Sequence, residues 1–509
     1  MKKVLKSSVF YRYVILGHLP LISKMDELRK KTLIGSLWMM VERFGYLTIQ
    51  FISNLVLARL LMPEDFGTIG LMMVFITLAN VFVDSGFSAS LIQKENVTEQ
   101  DKSTVFITNL ILAFFVYGIL FVVAPRIANY FHNEALLSLL RVLGIILLID
   151  AFCAIQNTIL TREMNFKLLT KIKLASIIIA AIVAVSLAYK GFGIWALVVQ
   201  YIVYSTIRTI VTWLVSNWKP MLGFSKESFD TLFSFGFKLL LSTFVAELYV
   251  NFQQILIGRF YKPADLGYYS QARQFQQIPT GTISQVINTV AFPAYAKLQN
   301  DREALRELFR QNVRLVGYFN TAIMMLLASI AQPLIILLYS SKWIGSIGYY
   351  QFLCVGFGIF LAVHQCSLSV LKAVGRSDYV LKLEIVKKIL GVVLIIIGLN
   401  IYGIWGILYA LALNSFIEIF LNGHYLSKEL NYNGFNQIMD ILPSIIVSSI
   451  SGFVAYFTWS ICFPEGQEFI AVLFSSFAYL FVFLLGSWVG RLYGFKVLKK
   501  GIGKVLKKH

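Results

Sequence analysis

Charge is scarce in this 509-residue chain: Asp, Glu, Lys and Arg together make up 14% of it, where a soluble globular domain carries about a quarter. That excludes one large water-soluble core. Cysteine is scarcer still. Cys153, Cys354, Cys366 and Cys462 lie far apart with no CxxC or metal-type spacing. This argues against a disulfide framework or a thiolate metal site and leaves four small hydrophobes. No GxxxxGK[ST] segment occurs, so no loop on this chain is built to cradle the phosphates of ATP. The five histidines form no cluster, and His132 and His364 read as isolated structural residues. No cofactor and no metal are expected.

What remains is apolar. Hydrophobic residues make up 58% of the chain, in recurrent runs of roughly twenty, enough to cross a hydrocarbon layer about 30 Å thick as helices. The fold class expected is an all-α polytopic membrane protein. Fourteen spans are placed near 35–58, 67–90, 104–124, 136–157, 174–190, 192–214, 231–257, 267–292, 313–338, 348–371, 381–400, 402–424, 438–460 and 468–490. Lys and Arg fall on alternate connections. They crowd the N-terminus, 162–173, 297–314, 372–388 and the C-terminus, whereas the opposite loops hold only Arg59, Arg126, Lys190, Arg259, Lys262 and Lys342. Basic loops stay on the cytoplasmic side, so both termini are expected there. The net charge of +19 then faces anionic head groups rather than nucleic acid.

The ends read differently from the middle. The run VFYRYVILGHLPLI is short and broken by Arg12, His18 and Pro20, a poor signal peptide and a poor span. It reads as an interfacial extension or, preferably, as sequence ahead of a start at Met25, and residues 1–32 are taken as a cytoplasmic extension. The tail RLYGFKVLKKGIGKVLKKH, within 491–509, reads as a basic amphipathic helix on the membrane surface.

One stretch occurs twice. RLLMPEDFG, Arg59 to Gly67, returns as RFYKPADLG, Arg259 to Gly267, with Arg59, Pro63, Asp65 and Gly67 answered by Arg259, Pro263, Asp265 and Gly267. KGFGIWALV at 190–198 is answered by NIYGIWGIL at 400–408. Copies of six spans each share one orientation, which predicts two lobes related by an axis along the membrane normal: 33–216 and 217–425, with 426–490 as two appended spans. Taken alone the motif is a hairpin turn, with Pro63 stopping one helix and Asp65 capping the next. Taken twice, it marks the outer corner of both lobes and is the better candidate for a gate than for a binding site.

Polar residues inside the spans are ordered. Ser270, Gln274, Gln277, Gly281, Ser284 and Asn288 follow each other by four and three residues, one helix face. Thr77, Asn80, Asp84 and Ser88 form a similar row in the second span, and Glu247, Asn251 and Gln254 in the seventh. Such rows turn toward protein or water, either to bond neighbouring helices or to line a hydrated cavity. The charges inside the spans are Arg43, Arg141, Arg208, Lys238 and Arg273 against Glu42, Asp84, Asp150, Glu247 and Glu418. Arg208 and Lys238 lie near enough to the cytoplasmic ends to snorkel. The others are either paired structural charges or functional: arginine suits a phosphate, and a carboxylate suits ion coupling.

At LARLLMPEDFG, SLIQKENVTEQDKSTVFITNL (90–110), LGYYSQARQFQQIP (266–279) and FPAYAKLQND (292–301) the chain resembles the polysaccharide-transporter, or Wzx-like oligosaccharide flippase, family of the multidrug/oligosaccharidyl-lipid/polysaccharide exporter superfamily. The resemblance runs from about residue 30 to 490. It implies two six-helix lobes working by alternating access in the bacterial inner membrane. The implied substrate is an undecaprenyl-pyrophosphate-linked oligosaccharide or related intermediate, moved to the periplasmic leaflet for surface polysaccharide, O-antigen or capsule. Other implied partners are membrane lipids, a proton or Na+ as coupling ion, and the polymerase and export machinery.

The family carries no short catalytic motif, and none is assigned. From depth and type, the cavity candidates are Arg43, Arg141, Arg273, Gln274, Gln277, Ser284, Asn288, Asn80 and Asn251, and the coupling candidates are Asp84, Asp150 and Glu247. A multidrug exporter and a lipid II flippase of the same superfamily remain as alternatives. A polysaccharide polymerase or ligase is more remote, because no outer loop is large enough to hold a catalytic constellation.

Overall fold

With no water in the bilayer core, each run must satisfy its own backbone, and a helix does so within one segment. The computed structural model describes residues 9–506 apart from 222 and 464–465; for 9–33, 235, 283–290, 377 and 501–506 it describes the backbone alone. The helices are α1 (Val9–Leu60), α2 (Pro63–Asp84), α3 (Phe87–Gln93), α4 (Glu99–Tyr130), α5 (Ala135–Leu143), α6 (Ile145–Arg162), α7 (Phe166–Tyr189), α8 (Trp195–Val215) and α9 (Lys226–Phe260). They continue as α10 (Pro263–Lys297), α11 (Arg302–Ser329), α12 (Ala331–Tyr339), α13 (Gly345–Phe352), α14 (Ile359–Ala373), α15 (Ser377–Leu430), α16 (Gly434–Cys462), α17 (Glu468–Val489) and α18 (Tyr493–Leu506). No strand occurs among the described residues.

Ten of the described helices are long and apolar enough to cross a membrane, eleven if α11 and α12, bent by 70° at Ile330, form one span. The chain is a multipass membrane protein. Fourteen spans were expected, and three of those go beyond this count. They fall on α1, on the amide-rich α10, and on the second half of α15, which is 54 residues long and broken at Gly403 (φ 64°). Gly193, its counterpart in the other sequence copy, also has positive φ (55°), a conformation that glycine adopts without a Cβ penalty. The break therefore belongs to the repeated GIW segment.

Packing divides the chain into two units: residues 1–61 with 72–248, and residues 62–71 with 249–509. These boundaries cut α2 after Leu71 and α9 after Leu248, inside helices. The first unit has a core around Phe87, Leu91, Phe106, Ile155, Trp218 and Leu232. In the second, Phe309, Val313, Val363, Val370, Ile419 and Ile441 form the larger core.

Between α13 and α14, residues Leu353–Gly358 form a π-helical turn, which leaves carbonyls without their usual partners. Asn320 Nδ2, on α11, donates to Gly358 O (2.9 Å) and Ile359 O (3.2 Å). A buried amide thus repairs the irregular turn, the tolerated way to carry one at membrane depth.

Candidate functional site

Four of the charges expected within the spans, Glu42, Asp150, Arg208 and Glu418, are ion-paired among the described residues. In the first unit Glu42 on α1 accepts from Lys173 on α7 at 2.6 Å. Asp150 on α6 is paired with Arg208 on α8 at 2.7 Å and is also bonded by the Ser205 hydroxyl. Arg208 was expected to snorkel; its guanidinium instead turns to Asp150 and lies 5.4 Å over the Tyr204 ring. Asp84 accepts from Ser88 Oγ at 2.5 Å, one turn on. Arg141 is half-buried, 4.1 Å over the ring of Phe121. Asn80 and Glu247 are half-buried; Arg43 is exposed and makes no ion pair or hydrogen bond to the acidic residues named here.

In the second unit Arg273 on α10 donates to Gln253 Oε1 on α9 and to Tyr269 Oη (2.9 Å). Both partners are neutral, so neither offsets the guanidinium charge. Asn251 and Gln274 are half-buried, whereas Gln277 is exposed. An adjacent side of α10 is closed: Gln276 and Thr280 are buried and bonded to each other at 2.9 Å. The expected polar row, Ser270–Gln274–Gln277–Gly281, therefore follows the more accessible face of α10. The side chains of Ser284 and Asn288 lie outside the described residues.

The two copies of the turn motif meet. Pro63 and Pro263 are each the first residue of a helix, where a missing N–H costs nothing. Asp65 does not cap as the residue before the helix. It sits at the third helical position and its carboxylate accepts from the Met62 N–H at 3.0 Å, the reach-back half of a capping box. The first turns of α2 pack within the second unit, with Phe66 edge-on to Trp343 (5.3 Å). A Cβ added to Gly67 would lie 1.8 Å from Pro263 O, and one added to Gly267 would lie 1.9 Å from Pro63 O. The contact is reciprocal, backbone on backbone, and only glycine fits either side of it.

Three further arrangements carry chemistry that the sequence did not reveal. A cleft of about 700 Å³ in the first unit lies between α2, α4 and α9, lined by side chains such as Phe82, Leu112, Phe115, Phe233 and Leu241. Its α4 wall runs from Thr108 to Ile127, roughly 28 Å at 1.5 Å per residue. Phe229 and Phe233 stack on its α9 wall (5.2 Å). In the second unit Asp440 on α16 holds Arg310 and Arg314 of α11 (2.8 and 2.5 Å) and accepts from Tyr432 Oη (2.7 Å). Burial, reinforced by that carboxylate, holds the Tyr432 hydroxyl protonated far above the usual phenol range. His364, expected to stand alone, faces Glu418 of α15. Helical spacing within one segment does not signal the ion pairs of Asp440 with Arg310 and Arg314 or of Glu418 with His364, because those partners are tens of residues apart.

Solved structures share the backbone of this multipass helical protein, which carries ion pairs, an accessible amide row and a reciprocal glycine crossing. The lipid II flippase MurJ, in an inward closed conformation, matches with a TM-score of 0.72 at 17% identity, over 89% of this chain and 98% of that one. An inward-facing multidrug resistance MATE family transporter of the MOP superfamily matches at 0.54 and 17% identity, over 80% and 98%. At such identity the likeness is one of fold: a MurJ/MATE-like transporter fold.

The family follows from sequence. The model described as "Polysaccharide biosynthesis protein" matches residues 56–348, more than half of the chain, and the protein belongs to that family. It is 25% identical to the teichuronic acid biosynthesis protein TuaB of Bacillus subtilis (85% of this chain, 90% of the relative). It is also 25% identical to the lipopolysaccharide biosynthesis protein WzxC of Escherichia coli (84% and 89%). The succinoglycan biosynthesis transport protein ExoT of Rhizobium meliloti is 26% identical over 60% of this chain and 62% of its own length.

Proposed function

We propose that this protein is a flippase that carries lipid-linked oligosaccharide or polysaccharide intermediates across the bacterial inner membrane by alternating access. It would use fourteen spans, with both termini cytoplasmic. The observation that carries this reading is the polysaccharide-biosynthesis family match over 56–348, joined to a transporter fold. The relatives' names concern three different surface polysaccharides, so the shared task is one step common to all of them rather than one sugar.

The chemistry of the chain supports it. Such a substrate has an anionic pyrophosphate, a polar head and an apolar tail. Arg273, held by neutral partners that do not offset its charge, is free to meet a phosphate. Arg43 and Arg141 are further phosphate contacts, and Asn80, Asn251, Gln274, Gln277, Ser284 and Asn288 serve the sugar. Asp84, Asp150 and Glu247 are the coupling candidates, for a proton or Na+. The crossing of Gly67 and Gly267 is the outer gate. Lipid II is the second substrate reading, favoured by the fold likeness to MurJ.

The test is complementation in a host that lacks its own exporter of a surface polysaccharide. This chain is expected to restore surface polysaccharide and to deplete the lipid-linked repeat unit from the inner leaflet. Arg273→Gln is expected to insert normally and to lower export at least roughly tenfold, one lost charge-assisted contact. Export at the wild-type rate in both Arg273→Gln and Arg43→Gln would sink the phosphate contacts. Drug efflux without polysaccharide export would overturn the substrate class.

A further inference from the structure

α17 ends at Val489, and the chain turns through Gly490, Arg491 and Leu492 into α18. Beside this turn, against the first turns of α16 and the middle of α11, lies a cavity of about 260 Å³, room for several waters at about 30 Å³ each. Its polar lining is Arg314, Asp440, Ser444, Arg491, Tyr493 and Lys496. The charges do not balance. Asp440 is already matched by Arg310 and Arg314, while Arg491 and Lys496 are exposed and pair with no carboxylate among the described residues. The cavity is thus cationic.

The walls are rigid. Phe495 and Leu498 of α18 pack on the cluster of Tyr318, Phe483 and Leu492, and Tyr493 Oη donates to Gln311 Oε1 at 3.0 Å. The turn itself is costly. Arg491 occupies the left-handed region (φ 49°), where glycine is the usual residue after a helix end. A long cation stands where the backbone favours no side chain at all.

We propose that this cavity binds the phosphodiester head group of an anionic membrane phospholipid, with Arg491 and Lys496 as its principal contacts and Ser444 as a hydrogen-bond donor. The place fits a lipid. The cavity opens where the apolar stretches of α16 and α17 end, beside a helix carrying Lys496, Lys499 and Lys500, and basic pockets between helices at that level recognise anionic head groups. The bound lipid would tie α16 and α17 to α18 at one end of the second unit. This is separate from the transported substrate and does not rest on its identity.

The experiment uses the full chain reconstituted in phosphatidylcholine vesicles with increasing phosphatidylglycerol, reading retained phosphatidylglycerol per protein. Arg491→Gly with Lys496→Gln is the informative variant, because glycine is the least strained residue at that φ and neither side chain is in the core. It is expected to weaken retention on the order of tenfold or more, while Lys499→Gln with Lys500→Gln stays within about twofold, being screened surface charge. Wild-type retention in the first variant, or an equal loss in the second, would overturn the site. Full competition by inorganic phosphate at matched concentration would overturn the lipid source and leave a site for a free phosphate.

Discussion

At the scale of the residue, membrane depth makes partners decisive. Asp440 is 7% exposed at its side chain, and three groups converge on it. Asp440→Asn removes the charge and leaves Arg310 and Arg314 facing each other. Breaking a buried pair costs about 3–5 kcal/mol, and the lower end applies because both arginines are partly exposed and can reach water. The expected result is a clear fall in the thermal unfolding midpoint in detergent, with Arg310→Gln much milder because Arg314 still covers the carboxylate. Equal effects would show that Asp440 is not the hub. The sequence exposed Arg208 and Asp150 as charges inside the spans but not their pairing, and it did not single out Asp440, Arg310 or Arg314. Arg208 and Asp150 lie 58 positions apart and Arg310 and Asp440 lie 130 apart, and only the packing of two helices decides which of several candidates meets which.

Elements show the opposite balance. Apolar runs, Pro and Gly punctuation and the repeat were legible because helix formation in lipid is a local necessity. The motif marked Pro63 as a break with Asp65 as the cap; the structure instead makes Pro63 and Pro263 the first residues of their helices. What the spacing did not reveal was the bend at Ile330, the π-helical turn at Leu353–Gly358 or the contact between the two motif copies. The last is open to direct test. A Cβ on Gly70 would lie 3.8 Å from that of Ser270, within disulfide range. Gly70→Cys with Ser270→Cys, in a Cys462→Ser background, is expected to oxidise readily, to abolish export while oxidised and to recover on reduction. Full export by the oxidised pair would mean that this crossing never opens. Gly118, in the middle of α4, provides the control: nothing lies within 4 Å of an added Cβ. Gly118→Ala is expected to be neutral or to stabilise by up to about 1 kcal/mol.

The whole molecule turns on whether the accessible side of α10 sees water. Gln277 is exposed on that side, while Gln276, its neighbour in sequence, is fully buried. Gln277→Cys is expected to react with a membrane-impermeant thiol reagent, and adding substrate is expected to change the rate. Gln276→Cys is expected to stay protected throughout. Protection of both in every condition would return the polar row to helix packing and weaken the proposed path.

Read alone, the sequence determined the class, the helical architecture, the repeat and the family resemblance. Each follows from local chemistry: a run of apolar residues long enough to span, a proline that breaks a helix, a basic loop, a motif written twice. Tertiary structure alone decided the ion pairs, the meeting of Gly67 with Pro263 and of Gly267 with Pro63, the apolar cleft and the cationic cavity at α18. These are juxtapositions of distant segments, and they arise from how helices cross once all of them are buried together. Composition shows which groups need partners in the membrane; packing chooses the partners.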